Sequence, residues 1–203
     1  MVGSALRLAR LATRRTRTAS FAGGFHGYGC ELNRVGEEFT HINPPAPCGH
    51  HDILPWNAPE SVEMIERGGY AGVVLEPVLG AAGYLVPDAG WVRAIREACR
   101  SSGTLFIADE IQSGLGRTGR MLSLDHFGVQ ADLYLFGKSL GGGLFPISAC
   151  VAARGIFEEV PEGCAAFGST YSNNQWGEAV ARRSLELLSS PPLLEAAREK
   201  GRK

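Results

Sequence analysis

Several features that would narrow the class of protein are absent from this chain. It has no apolar run long enough to span a bilayer, no internal repeat and no low-complexity linker. Its formal net charge is −1, so no global basic field points to nucleic acid or to an acidic membrane surface. Charged residues make up 20% and hydrophobic residues 44% of the 203 positions, which argues against disorder. The chain is therefore expected to fold as one large or two small globular domains.

Cysteine is also sparse, with five scattered residues and no C-x-x-C pair. A disulfide framework is not expected in a chain of this size, so we expect a reducing, cytoplasmic compartment. Cys48, His50 and His51 lie close together, which leaves a metal site as one interpretation. The same stretch is rich in proline, and no second ligand pair follows at zinc spacing, so a loop is the favoured interpretation.

Acidic residues are missing from the first 30 positions, which instead carry five arginines. That composition is typical of a mitochondrial transit peptide. The alternative is a helix of the domain over residues 5–17, with Leu6, Leu8 and Leu11 on its apolar side and the arginines in solvent. Composition alone does not separate these two interpretations.

The rest of the chain alternates between strand and helix patterns. Residues 36–60 are expected to form loops because prolines recur there. Strands are predicted at 71–77, 104–109, 132–138 and 146–153. Amphipathic helices are predicted at 88–103, with Asp88 as N-cap and Gly103 as stop, and at about 176–188. Short apolar strands that alternate with helices indicate an α/β fold with a mainly parallel sheet.

Three of the predicted strands end in a charged residue. These residues are Glu76, Asp109 and Lys138. Because ligands of open α/β sheets bind at the carboxyl ends of the strands, a shared site is favoured over three unrelated surface charges.

Lys138, in the stretch FGKSLGGG, has three interpretations. In a P-loop the first glycine of G-x-x-x-x-G-K would fall at Asp132, so that interpretation fails on spacing. A buried salt bridge with Asp109 or Glu76 carries a desolvation cost and explains little alone. The third interpretation is a partly buried amine that forms a Schiff base with pyridoxal phosphate, a cofactor that also needs an acid facing its ring nitrogen. Asp109 offers that acid.

The segments around these residues match a family pattern. TLFIADEIQSGLGRTGRMLSLDHFGVQADLYLFGKSLGGGLFPISA contains DE-[IV]-Q, G-x-GRTG and GK-x-LGGG in that order. It resembles the class III pyridoxal-phosphate aminotransferases, the group that contains the ornithine, 4-aminobutyrate and ω-amino-acid transaminases. LEPVLGAAG, FAGGFHGY and FGSTYSNN resemble further family segments, and only residues 30–60 match loosely. The resemblance implies a three-layer α/β sandwich of fold type I, and it favours the domain helix over the transit peptide.

The resemblance also implies roles for six residues. Lys138 would form the Schiff base and then act as general base and acid on the substrate α-proton. Asp109 would pair with the pyridinium nitrogen, and Gln112 would lie near the ring hydroxyl. The remaining cofactor-binding positions are Phe25, stacked on the ring, its neighbour His26, and Thr170, which would reach the phosphate across a homodimer interface. The implied reaction moves an amino group from an amine or amino acid to a 2-oxo acid.

Two features depart from the family pattern. Only Gly3 and Ser4 remain as a trace of the phosphate-binding loop, and the small domain that normally follows is missing, so residues 1–203 are interpreted as a partial cofactor-binding domain. Ala81 stands where several glutamate-using members carry a second glutamate, which disfavours an ornithine- or 4-aminobutyrate-type pairing with glutamate. Amine:pyruvate-like specificity stays open.

Two rival hypotheses remain beside the enzyme. One is a catalytically impaired, truncated or split paralogue that keeps the fold and the dimer surface. The other is an unrelated α/β binding protein in which Lys138 is only an ion-pair partner.

Overall fold

One mixed sheet organises the protein. The computed structural model describes residues 1–27, 50–160 and 170–202. Within these ranges the strands are β1 (Arg17–Phe21), β2 (His51–Leu54), β3 (Tyr70–Leu75), β4 (Leu105–Asp109), β5 (Leu133–Phe136) and β6 (Ala149–Ala152). They lie in the order β2-β1-β3-β4-β5-β6, and only β6 runs antiparallel to its neighbour. The predicted α/β class with a mainly parallel sheet is confirmed.

Helices cover both faces of the sheet. They are α1 (Val2–Thr13), α2 (Pro59–Glu66), α3 (Ala89–Ser102), α4 (Arg154–Glu158), α5 (Gln175–Leu188) and α6 (Pro191–Gly201). One buried cluster joins α2 and α3 to the sheet, and a second joins α1 to its opposite face. Along β4, Phe106 and Ala108 enter the first cluster and Ile107 enters the second. No helix in the described ranges is long and apolar enough to cross a membrane.

The amino-terminal segment is a helix of the domain. Ala5, Leu6, Leu8 and Ala9 are fully buried in α1, which contacts β3, β4 and β5. The predicted range of 5–17 is too late at both ends, because α1 spans Val2–Thr13 and β1 follows directly. The first turn of α1 therefore includes Gly3 and Ser4, which the sequence analysis assigned to the trace of a loop.

The prediction of loops over residues 36–60 is wrong in its second part. β2 spans His51–Leu54 and α2 begins at Pro59, whereas residues 36–49 lie outside the described ranges. His51 is buried in β2 because both ring nitrogens have partners on β1, the hydroxyls of Thr18 and Ser20, each at 2.9 Å. His51 is thus satisfied by the sheet. The described ranges contain no group of three potential metal ligands, and Cys48 lies outside them.

Helix α3 has the termini that the sequence predicts. The Asp88 carboxylate accepts hydrogen bonds from the backbone N–H groups of Gly90 at 2.7 Å and Trp91 at 3.0 Å. Gly103 ends the helix in the left-handed conformation, with φ of 66°. Between these ends, Trp91 and Ile95 belong to the buried line that anchors α3 to the sheet.

We expect Asp88→Ala to lower the free energy of unfolding by about 1 kcal/mol, because two N–H groups at the start of α3 lose their acceptor. Urea unfolding of the purified chain measures the change. Asp88→Asn is the matched control, since its amide oxygen still caps the helix and should preserve most of the stability. Equal losses in the two variants would contradict the assigned cap.

Candidate active site

The carboxyl ends of three parallel strands meet at one edge of the sheet. Glu76 follows β3, Asp109 is the last residue of β4, and Lys138 lies just beyond β5. β2 lies on one side of β1, and β3 lies on the other side. The direction in which successive strands are added to the sheet therefore reverses at β1. Such a reversal opens a crevice at the carboxyl ends of the strands. The three residues lie at one edge of the sheet, as predicted, and a site shared by all three stays a prediction.

A buried acid–histidine pair lies at this edge. The Asp109 Oδ2 atom is 2.6 Å from His26 Nδ1, and the side chains are 4% and 1% exposed. With Asp109 ionised, Nδ1 carries the hydrogen and donates it. The second oxygen, Oδ1, accepts from the backbone N–H of Ile111 at 3.1 Å. The contact between Asp109 and His26 joins residues 83 positions apart in the chain, and sequence reasoning did not predict it.

Glu76 holds the segment that follows β1. Its Oε1 accepts from the Phe25 backbone N–H at 2.7 Å, and its Oε2 accepts from the Gly80 N–H at 3.4 Å. Burial raises the pKa of the Glu76 carboxyl, and the nearby His26 and the two N–H groups offset part of that rise. This carboxyl ties the backbone N–H of Phe25 to the end of β3.

Lys138 differs from its predicted environment. The residue is exposed, so the expectation of a partly buried amine is wrong. Its backbone is left-handed, with φ of 42°, a region that L-residues rarely occupy outside turns and functional sites. The Nζ atom donates to Gln112 Oε1 at 2.5 Å. No ion pair in the described ranges involves Lys138. Asp109 is paired with His26, and Glu76 binds backbone N–H groups.

Gln112 lies between Lys138 and the turn after β3. A Cβ atom placed on Gly80 would come within 2.5 Å of Gln112 Nε2, so the amide lies directly against the Gly80 backbone. This contact requires glycine at position 80 for as long as Gln112 keeps its place. The Gln112 amide is thus held on one side by the Gly80 turn and on the other by the Lys138 amine.

A cavity of about 640 Å³ opens at Lys138. That volume is within the range of small-molecule sites. Its wall consists of Val78, Gly80, Tyr84, Gln112, Ser113, Arg117, Thr118, Lys138 and Ser139. Sequence reasoning assigned roles to only Lys138 and Gln112 on this wall. The GRTG motif was the available signal for Arg117 and Thr118, but nothing in its spacing indicated that they line a cavity.

The structure brings together some of the predicted site residues and not others. Lys138 contacts Gln112, Asp109 contacts His26, and Phe25 is joined to the same edge through Glu76. Thr170 is exposed in a turn before α5 and makes no hydrogen bond to the other five. The assigned roles of all six residues stay predictions.

The raised pKa of Glu76 predicts how stability depends on pH. The folded protein binds a proton at Glu76 more readily than the unfolded chain, whose ordinary value is 4.5. Stability from this group is therefore present below 4.5 and lost as pH rises through the higher folded pKa. We expect the unfolding free energy of the wild type, relative to Glu76→Gln, to fall with rising pH across that window. Urea unfolding at several pH values measures it.

The matched control is Glu199→Gln, which removes an exposed carboxyl on α6. It measures the effect of removing one solvent-exposed carboxyl group on the unfolding free energy. A wild-type advantage over Glu76→Gln that grows with pH would contradict the assigned shift.

Comparison with known proteins shows the family of this chain. The family model for aminotransferase class-III matches residues 2–203. Ornithine aminotransferase of Bacillus cereus (strain Q1) is 40% identical over 155 residues, which cover 74% of this chain and 38% of that protein. Ornithine aminotransferase of Macrococcus caseolyticus is 36% identical over 180 residues, which cover 88% of this chain and 45% of that protein.

Solved structures show the same relationship. The crystal structure of ornithine aminotransferase from Toxoplasma gondii ME49 aligns with a TM-score of 0.84 and 29% identity, over 95% of this chain and 47% of that one. The chain thus spans less than half the length of these relatives. The ordered motifs, the fold and the matched length together place this chain in the class III aminotransferase family.

Proposed function

We propose that this chain forms the cofactor-binding domain of a pyridoxal-phosphate-dependent transaminase, which transfers an amino group from an amine or amino acid to a 2-oxo acid. The observation that carries the proposal is the placement of the Lys138 amine at the cavity, at the same sheet edge as the buried Asp109–His26 pair. The names of the relatives support the same reaction class. A second structure of the ornithine aminotransferase from Toxoplasma gondii is described with partial occupancy of PLP at the active site of that protein.

The residues at the edge fit this cofactor. The cavity has room for a small molecule, and a primary amine and an amide lie on its wall. A carboxylate is fixed at the end of the neighbouring strand by two hydrogen-bond donors. The close approach of Gln112 to Gly80 supports the proposal, because it leaves backbone without a side chain beside the cavity.

Each predicted residue would hold one part of the group. Lys138 would hold the aldehyde carbon, Asp109 the ring nitrogen and Gln112 the ring hydroxyl. Phe25 would cover the ring face, and Glu76 fixes the backbone N–H of Phe25. When bound, the cofactor supplies a carbonyl that condenses with amines and a ring that withdraws electrons.

The chemistry assigned to the protein is positioning and proton transfer. Lys138 Nζ takes the proton from the carbon that bears the substrate amino group and returns it later in the cycle. The Gln112 oxygen restrains the direction of that amine through the 2.5 Å hydrogen bond. His26 and the Ile111 N–H hold the Asp109 carboxylate in one orientation, so that its charge stays at a fixed position at the sheet edge.

We also propose that the protein acts as a homodimer in which Thr170 contributes to the neighbouring site. Thr170 is exposed, as a residue that serves another subunit would be. Large apolar side chains are also exposed on this chain, which supports an interface with a second copy. They are Leu144 at 84%, Trp176 at 79% and Tyr84 at 70%. Sedimentation equilibrium tests the dimer, and Trp176→Glu should weaken it.

We propose a reducing, cytoplasmic compartment for the protein. In the described ranges, Cys99 and Cys150 are free thiols. Burial raises the pKa of Cys150 to about 11 and that of Cys99 further, so both thiols are poorly reactive.

The identity of the 2-oxo acid that accepts the amino group is a separate question within the proposal. Ala81 disfavours glutamate as the paired amino acid, although the relatives named above are ornithine aminotransferases. Pyruvate and 2-oxoglutarate offered in parallel as acceptors distinguish these alternatives.

Reduction with borohydride tests the covalent role of Lys138. The chain contains three lysines, Lys138, Lys200 and Lys203, so peptide mass spectrometry assigns the modified site without ambiguity. After incubation with pyridoxal phosphate, we expect the stable adduct on the peptide that contains Lys138. Lys138→Ala should remove it and Lys200→Ala should not. An adduct confined to the carboxyl-terminal lysines would contradict the proposal.

Asp109→Asn tests the electrostatic role of the carboxylate. The variant keeps the shape of the side chain but removes its charge, so we expect the rate of amino transfer to fall at least about a hundredfold. Single-turnover transfer from an amine donor measures the rate. Asp88→Asn, an equivalent change at the start of α3, is the control and should leave the rate unchanged.

A further inference from the structure

Glu110 is a buried acid that the proposed chemistry does not use. It follows Asp109 at the end of β4 and is 1% exposed. No ion pair in the described ranges involves it. An unpaired buried carboxylate is costly unless hydrogen-bond donors surround it, so its partners indicate why it is there.

The Glu110 carboxylate has three donors, all on the loop that follows it. Oε1 accepts from the Leu124 N–H at 2.8 Å, and Oε2 accepts from the Ser123 N–H at 3.0 Å. The Ser113 hydroxyl donates to Oε2 at 3.1 Å. One side chain at the start of residues 110–124 therefore binds both the beginning and the end of that loop.

The backbone folds around this side chain. The Glu110 carbonyl accepts from the Gly114 N–H at 3.0 Å and closes the turn, while the Glu110 N–H continues the ladder to Leu135 at 3.0 Å. A Cβ atom on Gly114 would lie 2.8 Å from Glu110 Cβ and 3.0 Å from Oε2. The Glu110 carbonyl oxygen would be nearer still, at 2.7 Å, so position 114 has no room for a side chain in this turn.

This loop supplies much of the cavity wall. Gln112 and Ser113 lie within the turn that Glu110 closes, and Arg117 and Thr118 lie further along the same loop. Gln112 in turn accepts the hydrogen bond from Lys138 Nζ at 2.5 Å. A continuous set of contacts therefore runs from the buried carboxylate to the amine.

We propose that Glu110 is a positioning residue, which fixes the loop of residues 110–124 so that the Gln112 oxygen is presented to Lys138 Nζ. The relevance of this arrangement to amino transfer rests on the proposed function. The coupling between the two side chains does not require bound cofactor, so it is tested on the chain alone.

The test compares the reactivities of lysines in one sample. The chain is acylated with limiting acetic anhydride, and mass spectrometry gives the rate at Lys138 relative to Lys200, which is exposed on α6. In Glu110→Gln, the N–H₂ group of the side-chain amide faces N–H or O–H donors that had donated hydrogen bonds to the carboxylate. At least one of these hydrogen bonds is lost, so the loop loosens. We expect the relative rate at Lys138 to rise about fivefold, as for the loss of one hydrogen bond.

A double-mutant cycle separates positioning from general stabilisation. Gln112→Ala removes the acceptor and should raise the relative rate by a similar factor. If Glu110 acts through Gln112, the double variant matches Gln112→Ala alone. Multiplied effects in the double variant, or an unchanged rate in Glu110→Gln, would overturn the proposal.

Asp132→Asn is the control for destabilisation alone. Asp132 is bound by Arg96 and the Phe106 N–H, away from the loop, so its loss should lower the unfolding free energy without changing the relative rate at Lys138. A rise equal to that of Glu110→Gln would assign Glu110 to general stability and overturn the proposal.

Ser113→Ala keeps the test valid if Glu110→Gln does not fold. It removes only one of the three donors, and we expect a smaller rise in the same direction, again absent in the presence of Gln112→Ala. An unchanged rate in Ser113→Ala, where Glu110→Gln is unfolded, would also overturn the proposal. Because no step uses pyridoxal phosphate, failure of the cofactor proposal would appear separately, in the borohydride experiment.

Discussion

Parallel alignment of β3, β4 and β5 is the constraint on which the site depends. Neighbouring parallel strands deliver their last residues to one edge, so Glu76, Asp109 and Lys138 lie at the same edge although the chain separates them by a helix or a long loop. Helices cover both faces of the sheet, so the side chains in the middle of these strands are buried and apolar. Polar side chains therefore gather where the strands end.

The three buried acids at this edge have separate sets of partners. Glu76 binds backbone N–H groups of the segment after β1 and of the turn after β3. Asp109 binds His26, and Glu110 binds the loop of residues 110–124. Each acid therefore attaches a different piece of irregular chain to the end of a strand. None of them is paired with Lys138, which leaves that amine bonded to a neutral amide.

Close contact between irregular segments is the second requirement of the site. Gln112 lies against Gly80, and the carbonyl oxygen and side chain of Glu110 lie against Gly114. Both contacts need backbone without a side chain. Gly80 lets Gln112 approach the turn after β3 beside the cavity, and Gly114 lets the turn after β4 close on Glu110.

Much of the fold was predictable from local pattern. The strands β3, β4 and β5 are continuous or nearly continuous apolar runs because both faces are covered, and α3 carries its own N-cap and glycine stop. β1 and β2 were not predicted because their segments, RTASF and HDIL, contain polar and charged residues instead of a continuous apolar run. Those polar groups are satisfied only when His51 bonds Thr18 and Ser20 across the two strands.

The sequence by itself determined the α/β class, the charged strand ends and the family motifs, because apolar periodicity and motif spacing are properties of short segments. Only the tertiary structure decided that Asp109 contacts His26, that Lys138 is exposed, and that Glu110 holds the loop carrying Gln112. These facts depend on side-chain direction and on contacts between segments far apart in the chain. Local pattern does not encode either of them.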